Sequence, residues 1–110
     1  MIDIKESDWK IFRKLREPAL ERYCQRVLND IALTVEKDDY SYHERYLELW
    51  KLMRDRDETI AIAFNDPRRS RAILQLVNII AEDLLTDAEL DQFSQETRAR
   101  VEGIKSLRDS

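Results

Sequence analysis

The sequence predicts an all-α fold, an antiparallel helical bundle of four main helices. Glycine occurs once and proline twice in 110 residues. All-β and Rossmann-like folds need more glycine than that in their turns. Apolar residues recur at steps of three and four over long stretches, the period of a helix face. Two capping boxes, at Ser41–Glu44 and Thr86–Glu89, mark helix starts. The length suits one domain, residues 1–110, with 1–6 and 104–110 expected to fray.

The first helix is expected over about 8–36, with Ser7 as its N-cap. Trp9, Phe12, Leu15, Ala19, Tyr23, Val27 and Ile31 form its apolar face. Pro18 falls inside that pattern and removes a helical hydrogen bond. The register is kept across Pro18, which favours one kinked helix. The alternative is a split there, with Pro18 in the first turn of a second helix.

"KDDYS" breaks the chain, and the Ser41–Glu44 box starts a second helix running to about Asn65. Its expected buried stripe is Tyr46, Leu49, Trp50, Met53, Ile60 and Phe64. "RDRDE" at 54–58 interrupts that stripe and puts Asp57 on the seam.

Asp66 and Pro67 read as the N-cap and first residue of a third helix. That helix is apolar nearly all round. Its polar exceptions, Arg71, Gln75, Asn78 and Glu82, form one narrow strip. It is therefore expected at the centre of the domain or in a dimer interface. The Thr86–Glu89 box opens a fourth helix carrying Leu90, Phe93, Thr97 and Val101 on one face, and Gly103 marks its end. Short connections favour antiparallel neighbours.

Hydrophobic residues make up 43% and charged residues 38%, with a net charge of -4. The acidic balance argues against general attraction to nucleic acid or acidic lipid. One cysteine rules out an intrachain disulfide. The chain shows no secretory signal pattern and no apolar run long enough for a membrane span, so a cytoplasmic protein is expected.

Arg68, Arg69 and Arg71 crowd the start of the third helix, where the helix dipole disfavours positive charge. Two readings follow. The arginines hold an anion, such as a phosphate or nucleotide, beside free backbone amides. Alternatively they pair internally, with Asp66 adjacent and Asp55, Asp57 and Glu58 about two turns back on the second helix. Internal pairing is favoured. The third helix is too apolar to read a nucleic-acid groove.

His43, with Glu44 and Glu48, lacks the Glu-x-x-His spacing of a di-iron bundle and reads as a surface residue. Cys24 reads as a small buried hydrophobe. Neither a catalytic constellation nor a cofactor motif is visible. A second reading has Tyr40, Tyr42 and Trp50 line a docking groove beside the turn between the first and second helices, and it is ranked below core packing. A chain this small does not readily cover its third helix and aromatics, so a homodimer or another protein is the expected partner.

"WKIFRKLREPALERYCQRVLNDI", from Trp9 to Ile31, resembles the opening of a group of small uncharacterised bacterial helical proteins. "RYLELWKLMRDRDETIAIAFNDPRRSRAILQL" and "LLTDAELDQFSQETRARV" are similar to the rest of such proteins. The resemblance implies a bacterial cytoplasmic helical protein and carries over no activity. The expectation is a non-catalytic, self-associating interaction module, with an anion- or nucleotide-binding protein as the alternative.

Overall fold

The computed structural model describes residues 4–109, and expectations for 1–3 and 110 lie outside them. The described residues form helices α1 (Glu6–Val35), α2 (Tyr42–Ala63), α3 (Ala72–Ala81), α4 (Asp87–Leu90) and α5 (Gln95–Asp109), with a 3-10 turn at Arg69–Arg71. Four of the helices are long, as the all-α bundle required, and no strand occurs among the described residues.

α1 runs unbroken through Pro18. An interior proline costs about 3 kcal/mol. Phe12, Leu15 and Tyr23 are buried on one face across it, each stabilising by roughly 1.5–3 kcal/mol. Packing therefore outweighs the lost bond, and one helix wins over two. The helix starts earlier than Ser7 predicts, with Lys5 at the N-cap and its carbonyl taking the Trp9 amide at 2.8 Å. Residues 4–6 do not fray. Ile4 is buried, and its carbonyl accepts from Arg69 Nε at 2.8 Å.

α1 and α2 form an antiparallel hairpin. The Ser41–Glu44 box is present in full, with bonds of 3.0 and 2.9 Å. Only half of the predicted buried stripe of α2 packs: Leu49, Ile60 and Phe64 do, and Tyr46, Trp50 and Met53 do not. Ala63 is the one buried residue of α2, with Phe64 buried at its C-cap. Arg45, Leu49, Leu52, Arg56 and Ile60 are half-buried. Tyr46, Trp50 and Met53 lie open. The seam is thus rotated from the most apolar stripe. Arg56 reaches Asp30 of α1 at 3.5 Å, and Asp57 turns outward.

α3 is central, with six of its ten residues buried. It begins later than predicted. Asp66 has φ 50, a left-handed conformation that an N-cap does not adopt, and Arg68 is extended. Gln75 belongs to the core rather than to a polar strip. Its Nε2 donates to the Asn65 carbonyl at 2.8 Å. α3 ends in a Schellman motif built without glycine. Asp83 takes the left-handed position, with Leu84 N–H on Ile79 O at 3.3 Å and Asp83 N–H on Ile80 O at 2.9 Å.

The predicted fourth helix is two helices. The Thr86–Glu89 box opens only the single turn α4. The chain then turns, and Ser94 starts α5, its hydroxyl accepting from the Thr97 amide at 3.3 Å. α5 passes straight through Gly103 to Asp109. Gly103 has no positive φ, and an added Cβ would meet nothing within 4 Å. Its loss of backbone entropy is uncompensated, so Gly103→Ala is expected to stabilise the chain by about 0.5–1 kcal/mol in urea unfolding.

The molecule is elongated, 51 × 29 × 24 Å, with a radius of gyration of 16.7 Å. A compact chain of about 100 residues has about 13 Å. The excess length is the hairpin. α3, α4 and α5 pack beside α1 as far as Arg26, which reaches Glu82, and the α1–α2 tip projects beyond them. No helix among the described residues is long and apolar enough to cross a membrane.

Candidate functional site

The arginine corner is paired internally. Arg68 Nε lies 3.0 Å and Arg71 Nη1 3.2 Å from Asp66 Oδ2, and Arg69 Nη1 lies 2.9 Å from Glu6 Oε2. Asp55, Asp57 and Glu58 are not the partners. Asp55 faces Arg54 instead, at 3.8 Å. The reason is the late start of α3. The left-handed turn at Asp66 folds its carboxylate back on Arg68 and Arg71, and Arg69 is drawn to the N-terminus of α1. All three arginines thus have a carboxylate partner. The pairs are exposed, and each is worth about 0–1 kcal/mol.

Other arginines hold the helices to one another at their carbonyl ends, where positive charge suits the dipole. Arg16 Nε donates to Phe64 O at the end of α2 (3.0 Å). Arg26 donates to Glu82 O at the end of α3 (2.8 Å), and Arg45 to Val35 O at the end of α1 (2.9 Å). Arg22 donates to Leu84 O at 2.7 Å and forks onto Glu89 at 2.7 and 3.1 Å. Arg22, with the Thr86 amide, pulls the Glu89 carboxyl down to about 2. A lowered folded value means stability that is complete above the ordinary carboxylate range and lost as pH falls from there through the folded value near 2. Glu89→Gln is therefore expected to cost about 1–2 kcal/mol near pH 7, and less near pH 3, in melting measurements.

Asp8 is a buried carboxylate that sequence reading missed. Oδ1 accepts the Ser94 amide at 2.9 Å, and Oδ2 accepts the Ser94 and Thr97 hydroxyls. Burial alone would raise its pKa. The Ser94 and Thr97 hydrogen bonds, aided by Lys5, outweigh burial and hold it below the ordinary value. Ser94 and Thr97 at helix-start spacing were the available signal.

A cleft of about 600 Å³ lies between α3 and α5, floored by Leu76, Ile80 and Phe93. Arg98 on its wall faces Asp91 at 3.6 Å, and the Thr97 hydroxyl there is held by Asp8. The described residues bring together no group of His, Cys, Asp and Glu suited to a metal. His43 is exposed, and Cys24 is half-buried rather than enclosed.

The feature with the chemistry of a contact surface is the hairpin tip. On α2, Tyr42 is 85% exposed, Tyr46 65%, Trp50 55% and Met53 53%. On α1, Leu28 and Val35 are more than half exposed, with Ile31 half-buried between them. At about 100° per residue, with the chain reversing between the helices, both stripes flank the seam on one side. The buried α1 residues Phe12, Leu15 and Ala19 occupy the other flank, toward α3. Guanidinium groups stack on two of the open rings, Arg45 over Tyr42 and Arg54 over Trp50, each 4.8 Å from the centroid.

No family model matches the chain. No curated protein and no solved structure matches it either.

Proposed function

We propose that the chain is a non-catalytic helical interaction module that docks partners through the open face of the α1–α2 hairpin. One observation carries the reading: Tyr42, Tyr46, Trp50 and Met53 lie exposed in a single stripe, beside an apolar stripe on α1. Monomeric proteins rarely expose contiguous apolar patches above a few hundred Å². Aromatic residues and methionine are the types enriched in contact surfaces. The stacked arginines fix two rings before docking, which lowers the ordering cost. The resemblance of Trp9–Ile31 to small bacterial proteins supports a bacterial cytoplasmic setting. The anion-binding alternative has less support, because Arg68, Arg69 and Arg71 each already face a carboxylate.

Fluorescence of a Trp9→Phe chain tests the docking face, since Trp50 is then its sole tryptophan. In dilute monomer, acrylamide is expected to quench Trp50 freely. A Trp50 shielded within the monomer would mean that the chain closes this face itself, and the reading would fail.

A further inference from the structure

We infer that the occupant of this face is a second copy of the chain, docked hairpin against antiparallel hairpin about a two-fold axis. The inference rests on the docking face proposed above. Three observations select a copy over an unrelated partner.

The first is area. An aromatic side chain buries about 150–250 Å² when covered, so the open parts of Tyr42, Tyr46 and Trp50 offer roughly 300–500 Å². Leu28, Val35 and Met53, also more than half exposed, bring the face toward the roughly 800 Å² that each side of a standard interface contributes.

The second is charge. The whole chain carries -4, so two copies repel unless the contact itself is neutral. These six side chains carry no charge; of the two guanidinium groups over their rings, Arg54 faces Asp55 at 3.8 Å and Arg45 is bonded to the Tyr40 and Val35 carbonyls. An isologous contact places like residues near like across its axis, and here that juxtaposes apolar groups.

The third is architecture. The projecting tip is two antiparallel helices with one covered seam. A two-fold mate supplies two more helices of the same lengths and closes a four-helix bundle, which is a closed arrangement of two copies. All six side chains are more than half exposed, so the rest of the chain leaves this face open for the approach.

Sedimentation equilibrium on the full chain, from about 1 μM to about 1 mM, tests this. The mass is expected to rise from 13.2 kDa to twice that and stop there, while Trp50 in the Trp9→Phe chain becomes protected from acrylamide. Trp50→Asp and Leu28→Asp are each expected to weaken dimerisation about 30-fold or more, as central interface residues do. Ile62→Asp, at an exposed apolar residue off this face, is expected to leave it unchanged. Circular dichroism of each variant confirms that the fold persists.

A wild-type chain that stays monomeric throughout overturns the inference. Free quenching of Trp50 in that monomer would leave the docking reading standing, and a shielded Trp50 would remove both. Growth beyond two copies, or dimerisation by Trp50→Asp as tight as wild type, overturns the two-fold geometry.

Discussion

Asp8→Ala is expected to destabilise the chain by about 3–5 kcal/mol, read as a shift in urea midpoint with an unchanged slope. Asp8 is 1% exposed and receives one amide and two hydroxyl donors from the start of α5. Truncation strands those donors in a buried place, at about 1–3 kcal/mol for each one left unmet. Asp8→Asn keeps the shape but turns one oxygen into a donor that faces donors, so it is expected to recover little. Acid has the same effect by protonation. The lowered folded pKa of Asp8 implies stability that is full above the ordinary aspartate range and lost as pH falls from there through the lower folded value. A truncation cost near that of an exposed surface site, within about 0.5 kcal/mol, would show that α5 is not anchored here.

Phe64→Ala is expected to cost about 3–5 kcal/mol, while Trp50→Ala costs the monomeric chain no more than about 0.5 kcal/mol. Both are aromatic, and periodicity places them on one stripe of α2. Phe64 is fully buried where α2 meets α3, and Trp50 is 55% exposed toward the tip. Urea unfolding at a concentration below self-association separates the two effects. Equal costs would mean that the tip packs inside its own chain.

What the sequence made legible was local chemistry. The capping boxes at Ser41 and Thr86 were read correctly, because their donors and acceptors lie three residues apart. The burial of α3 was legible from its near-continuous apolar run. The stripe on α2 was right at Leu49, Ile60 and Phe64 and wrong at Tyr46, Trp50 and Met53, because periodicity shows which residues can face a core, not how many helices stand ready to cover them. The partners of the arginine corner were missed for a related reason. Glu6 is 63 residues from Arg69, and the turn at Asp66 needs a left-handed conformation that sequence gave no cause to expect. Asp8 and Ser94, 86 residues apart, belong to the same class of contact.

The arginines at the carbonyl ends of α1, α2 and α3 bear on how the molecule loosens. Helix termini are ordinarily the first places to fray. Here the end of α1 is held from α2 by Arg45, and the ends of α2 and α3 are held from α1 by Arg16 and Arg26. No one of these termini can unwind without first giving up a contact with a neighbour. Amide exchange in their last turns should therefore follow opening of the helix–helix contacts rather than independent melting of each end. α2 and α3 are both fastened to α1, and local motion in α1 is an event for each of them.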